Sequence, residues 1–357
     1  MQLVQFAEPI PGQEPADVLR TAVFMANFAA QDITGRADAS RGVAELYDAL
    51  THPAPDACTY IFAATTEQVS GPLSELGYPL VPTSGTDEEP DILGWLIATT
   101  PLADNTDVVE LSLVLDVDLQ PMEGQIPAAS ADTIAFLLKS AGEIAVALDR
   151  TILQLWQQYP LSSNSPYAEA FSASGFEHAL AATEFVLPVS EEAVTDGVLV
   201  FANENFPAHV LNGVAALYSA ASVDQPLGSL RVEREEWDAQ RLAESTAHFR
   251  MLGTENFHAL ILDERDNVIA LSELWIHADA DPQVGVQGLT YVVADRRGEG
   301  LENSVATAAL AAAKKAHPEL SRVYASATDG HTSQLELTKS LGGIPVSRVG
   351  AWQRLIS

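Results

Sequence analysis

One short stretch of the chain carries the residue types that hold a phosphate group. A run of apolar and β-branched residues, 289–293, ends at a charged turn, Arg297-Gly298-Glu299-Gly300, and an alanine-rich segment of high helix propensity follows. Glycine lets backbone amides approach a ligand, and the first turn of a helix offers unpaired N–H groups at the positive end of its dipole. This order of strand, glycine turn and helix predicts an anion site, for which pyrophosphate is the natural ligand.

The motif and its surroundings resemble the acyl-CoA-binding strand–loop–helix unit of GNAT N-acetyltransferases. The family pattern is Gln/Arg-x-x-Gly-x-Gly/Ala, and Arg297 and Gly300 match its first two signature positions. The third position is Glu302 here. Two interpretations of Glu302 remain open: its carboxylate lies where the family places phosphate, or it points to solvent as an acid that the helix dipole favours.

The wider resemblance is to tandem-domain GNAT proteins of actinobacteria, and it covers residues 197–357. Its anchors there are Pro207, Asp224-Gln225-Pro226-Leu227-Gly228, Trp237, Gln287, Thr290, Arg297-Gly298 and Trp352-Gln353. Over residues 1–190 it rests on the order of predicted elements, on Asp104-Asn105 and on Gly175-Phe176.

The predicted strands and helices recur along the chain. For example, LSLVLDV (111–117) parallels LTYVVAD (289–295) with an offset of 178 residues. The recurrence predicts two copies of one α/β (α+β) unit joined by a linker near 188–197. The resemblance implies that these are two tandem GNAT-like domains, at 1–190 and 197–357, each a mixed, mostly antiparallel sheet flanked by helices. We call the turn Arg297–Gly300 the phosphate turn. The N-terminal copy is degenerate, because its segment at the equivalent place, LQPMEGQIPAAS (119–130), has no arginine and only one glycine.

The resemblance implies acetyl-CoA as co-substrate, and no metal. The residues expected to bind the cofactor are Tyr291, Val292, Val293, Arg296, Arg297, Gly298, Glu299, Gly300, Leu301 and Glu302.

Transfer in this family needs a group that accepts the amine proton and a donor that protonates the departing thiolate. Alignment on Leu341-Gly342 places His331, Thr338 and Gly343 where the family commonly carries Asn, Tyr and Phe, so the thiolate acid is not at its usual position. We expect Glu273 or His331 to act as base, His331 alternatively as acid, and Tyr324 as substitute acid. The competing structural interpretations are a solvated loop histidine and a packed strand tyrosine.

Composition limits the possible partners. The net charge is −31, divided as −21 over residues 1–190 and −10 over 191–357. Such a surface repels nucleic acid and anionic membranes and favours a positively charged amine. The single Cys58 excludes an intramolecular disulfide, and no Cys/His cluster has metal spacing. Neither a signal peptide nor an apolar run of about 18 residues is present. These features predict a cytoplasmic protein, monomeric or homodimeric.

Two functions from different classes follow. The first is an acetyl- or acyl-CoA-dependent N-acetyltransferase that uses direct attack by a small-molecule amine in the C-terminal domain. The alternative is a catalytically inactive GNAT-fold binding or interaction protein, suggested by Glu302, by the missing Asn/Tyr/Phe set and by the degenerate N-terminal copy. A Rossmann-type nucleotide enzyme is disfavoured, because the turn lacks GxGxxG and the anchors of the resemblance have no place in that fold.

Overall fold

The chain folds into two compact units. The computed structural model describes residues 1–85, 90–121, 126–162, 164–190, 197–278 and 280–356. Unit 1 comprises Met1–Ala181, Leu227–Arg231 and Ser347–Ser357, and unit 2 comprises Ala182–Pro226 and Val232–Val346. Residues 191–196 of the predicted linker and residues 122–125 of the degenerate N-terminal loop lie outside the described residues, and the predicted domain ranges stay a prediction.

Within the described residues, the first repeat contains seven strands and four α-helices. They are β1 (Gln2–Phe6), α1 (Asp17–Thr34), α2 (Val43–Thr51), β2 (Ala57–Thr65), β3 (Leu80–Val81), β4 (Ile92–Pro101), β5 (Val108–Leu115), α3 (Ala128–Ala147), β6 (Ile152–Tyr159), α4 (Ala168–Ala173) and β7 (Glu177–Pro188).

The second repeat has the same order of elements, except that the part of it that the structure describes has no counterpart of the two-residue strand β3. They are β8 (Val198–Ala202), α5 (Ala208–Asp224), α6 (Ala239–Met251), β9 (Glu255–Leu262), β10 (Val268–Ile276), β11 (Val284–Val292), α7 (Leu301–Ala316), β12 (Arg322–Thr328), α8 (Thr332–Ser340) and β13 (Ile344–Leu355).

Each unit is built on a mixed, mostly antiparallel sheet, as the sequence predicts. In unit 1 the strand order is β3-β1-β2-β4-β5-β6-β13, and only the β1–β3 and β5–β6 pairs are parallel. In unit 2 the order is β7-β12-β11-β10-β9-β8, and β11–β12 is the parallel pair. No helix among the described residues is long and apolar enough to cross a membrane.

The strand that closes each sheet comes from the other repeat. Residues 182–188 of β7, at the end of the first repeat, pair with β12 in unit 2. Residues 348–355 of β13, at the end of the chain, pair with β6 in unit 1. This exchange explains the anchor Trp352-Gln353. Trp352 meets Phe171 edge-on with ring centroids 5.5 Å apart, and Gln353 Oε1 accepts a 2.7 Å hydrogen bond from Arg231 N.

The structure corrects the alignment of the two repeats by one residue. Short 3-10 helices follow β5 and β11, and their first residues, Val117 and Ala294, are 177 positions apart rather than 178. Val114 packs in the core under α1, as Tyr291 packs in the core under α5. Side chains alternate between the two faces along a strand. With the offset of 178, each residue of β5 would therefore be matched to a residue of β11 on the opposite face of the sheet.

Gly228, an anchor of the resemblance, occupies a position that no other residue fits. Its φ is +59°, and a Cβ placed there would lie 2.0 Å from the backbone oxygen of Ala179. We expect Gly228→Ala to lower the free energy of unfolding by about 2–3 kcal/mol, because it adds a backbone clash to a strained φ.

Gly35→Ala is the matched control. Gly35 also has a positive φ, +69°, but nothing lies within 4 Å of its Cβ position. Conformational strain alone should cost about 1 kcal/mol there. Urea denaturation measures the free energy of unfolding of both variants. Equal losses of stability in the two variants would show that the backbone moves to relieve the clash with Ala179.

Candidate active site

The parallel pair at the centre of unit 2 separates partway along its length. Ladder pairing between β11 and β12 covers Val284–Val286 and Arg322–Tyr324, whereas the strands continue to Val292 and Thr328. Beyond Val286 the facing edges of the two strands diverge. An extended ligand can therefore hydrogen-bond to backbone groups that a continuous sheet would use internally.

Both glycines of the phosphate turn adopt left-handed backbone conformations. Gly298 has φ +82° and Gly300 has φ +79°, and nothing lies within 4 Å of a Cβ placed on either. Gly300 is the N-cap of α7 and provides no side-chain cap. The first turn of α7 therefore has no side-chain cap over its amides, and an uncapped helix N-terminus is an arrangement that binds anions.

Arg297, the predicted pyrophosphate ligand, is held by an acidic residue. Its Nη2 contacts Asp224 Oδ2 at the C-terminal end of α5, and its Nε donates to the carbonyl of Val292 at 3.2 Å. The guanidinium also lies 5.5 Å from the centre of the Tyr291 ring. Because Arg297 and Asp224 are 41% and 35% exposed, solvent screens the ion pair and its contribution to stability is small.

Tyr291 completes this contact by donating its hydroxyl to Asp224 Oδ2 at 2.7 Å. The hydrogen bond from Tyr291 and then the guanidinium of Arg297 hold the pKa of Asp224 below its ordinary value. Burial and the neighbouring Asp224 raise the pKa of Tyr291 to about 12, so the phenol stays a proton donor at neutral pH. We call these three residues the Asp224 latch.

A narrow cleft with a volume of about 20 Å³ opens beside the latch. Glu302, in the first turn of α7, lines it together with His331 and Gln334 at the start of α8. Gln334 Oε1 lies 3.0 Å from His331 Nδ1 and orients the imidazole. His331 is thus the predicted catalytic residue that shares a cleft with the phosphate turn.

Tyr324 and Glu273 lie elsewhere in unit 2. Tyr324 sits in the middle strand of three, paired with Val286 of β11 and Val186 of β7, and does not line the cleft. Glu273 is 4% exposed on β10. The structure therefore does not bring the three predicted catalytic side chains into one cleft.

Glu273 accepts hydrogen bonds from three elements. Tyr218 of α5 donates its hydroxyl to Oε1, Trp275 Nε1 donates to Oε2 at 3.2 Å, and the backbone N of Leu289 donates to Oε2 at 3.3 Å. Leu289 lies where the β10–β11 register shifts between Ser272 and Leu274. The carboxylate thus fixes a bulge of β11 beside the divergence from β12.

A buried histidine extends this network. His258 is fully buried on β9, and its Nε2 lies 3.0 Å from the Tyr218 hydroxyl. Its Nδ1 has no hydrogen-bond partner among the described residues. Burial and the nearby carboxylate of Glu273 raise the pKa of Tyr218 well above its ordinary value.

Glu204 is a second acid on this side of unit 2. It accepts hydrogen bonds from Thr246 Oγ1 and, at 3.0 Å, from Asn256 Nδ2. Burial raises the pKa of Glu204 above its usual range despite these two donors. Among the described residues, no group of three or more His, Cys, Asp or Glu side chains is arranged to hold a metal ion.

Sequence reasoning identified Asp224 as an anchor of the resemblance but not as the partner of Arg297. It also missed Tyr218 and His258. Asp224 and Arg297 are 73 positions apart, so no local pattern could identify the pair. Tyr218 and His258 lie within apolar segments, and their types and spacing provide no signal.

Comparison with solved structures identifies the fold. The structure resembles a tandem GNAT protein from the clavulanic acid biosynthesis pathway, solved without acetyl-CoA, at a TM-score of 0.70 and 16% identity, covering 100% of this chain and 98% of that one. It also resembles a GCN5-related N-acetyltransferase from Sphaerobacter thermophilus at a TM-score of 0.61 and 11% identity, covering 99% and 96%.

A third neighbour is a GCN5-related glucosamine N-acetyltransferase region of a fungal β-N-acetylglucosaminidase, at a TM-score of 0.58 and 11% identity, covering 98% of this chain and 38% of that one. No protein-family model matches the sequence, and no curated protein matches it. The predicted tandem GNAT fold is confirmed by the neighbours that span the whole chain.

The raised pKa of Glu204 has a consequence for the pH dependence of stability. The protonated carboxyl favours the folded state, so its contribution is complete below the unfolded pKa and is lost as pH rises through the folded pKa. We therefore expect Glu204→Gln to raise the melting temperature at pH 8, with a gain that disappears toward pH 4.

Glu264→Gln, in the exposed β9–β10 turn, is the control and should show no such pH-dependent gain. Melting curves recorded by circular dichroism across this range test the prediction. A Glu204→Gln variant that is less stable at every pH would show that the hydrogen bonds from Thr246 and Asn256 outweigh burial.

Proposed function

We propose that this chain, which has the tandem GNAT fold, is an acyl-CoA-dependent N-acetyltransferase that acts from unit 2. Acetyl-CoA is the proposed donor, and a small-molecule amine is the proposed acceptor. One observation carries the proposal: the divergence of β11 from β12 leads directly to a two-glycine turn and an uncapped helix N-terminus. Together they offer an extended groove for a chain-like ligand and an anion site at its end.

The residues present fit the phosphate part of acetyl-CoA. Open space lies over Gly298 and Gly300, and the first-turn amides of α7 supply donors. Arg297 adds a positive charge beside them. The co-substrate supplies an activated acyl thioester, and its extended arm has the backbone edge of β11 beyond Val286 as a partner.

The Asp224 latch sets a condition on binding. Asp224 and Glu302 bring two negative charges to the cleft, whereas Arg297 brings one positive charge. A phosphate must therefore replace Asp224 as the partner of Arg297. Because the ion pair is half-exposed, this exchange has a low cost, and Arg297 moves from one anion to another rather than becoming unpaired.

His331 is the proposed group for proton transfer. Its ring lines the cleft beside the phosphate turn, and Gln334 fixes its orientation. Glu273 has a different role in this proposal: its carboxylate is occupied by three donors, and its contact with Leu289 N holds the bulge of β11 in place. Tyr324 remains a candidate acid for the thiolate.

The specific observation that favours the alternative function is the acidity of the cleft. Glu302 stands at the third signature position, and Asp224 already neutralises the one arginine of the motif that lines the cleft. If no phosphate displaces Asp224, unit 2 is a GNAT-fold binding or interaction module without transfer activity.

Calorimetric titration of acetyl-CoA into wild type and Glu302→Gly tests binding. Removing one negative charge near a phosphate should tighten binding by about tenfold to a hundredfold. Equal affinities would show that Glu302 faces away from the phosphates. Lack of binding by both proteins would favour the alternative function.

The latch is tested by Asp224→Asn and Arg297→Ala in the same titration. We expect Asp224→Asn to tighten acetyl-CoA binding about tenfold, because it frees Arg297 without changing the size of the side chain. Arg297→Ala should weaken binding about tenfold or more. Arg265→Ala, which changes an exposed arginine on the β9–β10 turn, controls for loss of positive charge and should bind like wild type.

Release of free coenzyme A in the presence of a panel of amines then tests transfer. Activity that Arg297→Ala abolishes and Arg265→Ala preserves would support the proposal. Tight binding without release of coenzyme A from any amine would contradict transfer.

A further inference from the structure

Unit 1 has its own divergence between two parallel strands. Ladder pairing between β5 and β6 covers Val108–Ser112 and Ile152–Trp156, whereas the strands continue to Leu115 and Tyr159. Gln158 and Tyr159, at the end of β6, line a cavity of about 360 Å³, compared with about 20 Å³ for the cleft of unit 2. A cavity of this size is within the range of small-molecule sites.

Gln120 occupies the position in unit 1 that Arg297 occupies in unit 2. The two residues are 177 positions apart, and each is the C-cap of the short 3-10 helix that follows its strand. Their φ and ψ angles are −64° and 141° at Gln120 and −65° and 148° at Arg297. Gln120 Nε2 donates to the carbonyl of Leu115 at 3.2 Å, and Arg297 Nε donates to the equivalent carbonyl in unit 2 at 3.2 Å. Unit 1 therefore keeps the backbone geometry of this position but has a neutral amide in place of the guanidinium.

Each unit has an acid in the last turn of a helix beside its divergent strands. In unit 2 this acid is Asp224 of α5, and Arg297 pairs with it. In unit 1 Asp32, in the last turn of α1, lines the cavity together with Gln120. Within the described ranges, no lysine, arginine or histidine lines the cavity, and no ion pair or hydrogen bond engages the Asp32 carboxylate. The acid of the Asp224 latch thus has a counterpart in unit 1, whereas its cationic partner has none.

Much of the remaining lining is apolar or aromatic. Ala29 and Ile33 come from α1, and Tyr159 and Tyr167 are 8% and 7% exposed. Tyr167 stacks on Phe171 with ring centroids 5.4 Å apart, which fixes the orientation of its ring. Burial raises the pKa of Tyr167, so its phenol stays neutral at physiological pH. Aromatic rings of this kind pack against apolar groups and attract cations.

Charge selects a cationic ligand. Asp32 is the one ionised side chain among the described residues that line the cavity. Residues 1–190 carry a net charge of −21, which repels an anion and attracts a cation. An alkylamine is protonated at neutral pH, so its ammonium group can pair with the carboxylate while its carbon atoms contact the rings.

We propose that this cavity of unit 1 binds a small organic amine in its protonated form, with the ammonium group paired to Asp32 and an apolar body against Tyr159 and Tyr167. The site goes beyond the function proposed for unit 2, because it requires neither acetyl-CoA nor transfer. It assigns a binding role to the repeat in which the phosphate turn is degenerate.

Phenethylamine is a suitable probe, because it joins a protonated amine to one aromatic ring. Calorimetric titration into the full chain without acetyl-CoA should show one saturable site. 2-Phenylethanol has a hydroxyl in place of the ammonium group and should bind about tenfold more weakly, because it has no charge to pair with Asp32. Phenylacetate carries the opposite charge and should not bind.

Variants of unit 1 locate the site. Asp32→Asn should weaken phenethylamine binding about tenfold and remove its advantage over 2-phenylethanol. Asp132→Asn, which changes an exposed aspartate of α3 outside the cavity, is the matched control and should bind like wild type. Ala29→Leu should weaken binding of the amine and of the alcohol about tenfold or more, because the larger side chain fills part of the cavity. Circular dichroism melts confirm that each variant folds.

Glu302→Gln separates this proposal from the function proposed for unit 2. Glu302 lines the acidic cleft of unit 2, so an amine bound there would lose affinity in this variant, whereas an amine bound at Asp32 would not. The proposal is overturned if phenethylamine gives no saturable heat, if 2-phenylethanol or phenylacetate binds as tightly, or if Asp32→Asn binds like wild type. It is also overturned if Glu302→Gln abolishes phenethylamine binding. A second equivalent of acetyl-CoA that wild type binds and Ala29→Leu loses would show that the cavity holds an acyl-CoA, and this result would overturn the proposal too.

Discussion

The divergence of β11 from β12 is the constraint on which the rest of unit 2 depends. Strands in the middle of a sheet normally satisfy each other's backbone groups, and here the ladder ends at Val286 and Tyr324. Beyond Val286, β12 no longer fixes the conformation of β11, so other contacts must do so. Glu273 does this from the other side, because its carboxylate binds Leu289 N while Tyr218 and Trp275 hold the carboxylate. Because the backbone of β11 is fixed in this way, the phosphate turn that follows it has a defined position.

The charges around the turn follow from the same arrangement. The divergence opens a cleft at the N-terminus of α7, and Arg297 needs an anion in this cleft. Asp224, at the end of α5, provides it and is itself supported by the phenol of Tyr291. An internal carboxylate of this kind keeps the cleft ordered without ligand and competes with an incoming phosphate. Under the proposed function, the strength of acetyl-CoA binding reflects a balance between Asp224 and a phosphate as partners of the Arg297 guanidinium.

The two repeats show how one fold supports different surfaces. Both have the same order of elements, and each completes its sheet with a strand from the other repeat. The face under α5 and α6 is packed with aromatic and hydrogen-bonded side chains, whereas the face under α1 and α2 has a groove lined in part by alanines. Fold alone does not determine what either face does.

The sequence by itself determined the features that local chemistry controls. Alternating apolar runs predicted the strands, and the glycines at 298 and 300 predicted the turn, since period and turn chemistry act over a few residues. The recurring order of elements predicted two copies of one α/β unit, and the resemblance of the motifs identified that unit as GNAT-like. Tertiary structure decided the rest. Arg297 and Asp224 are 73 positions apart, and Tyr218 and Glu273 are 55 apart, so no local pattern links them. The exchange of β7 and β13 and the one-residue offset between repeats depend on which strand edges meet, which is settled by pairing and burial across the whole chain.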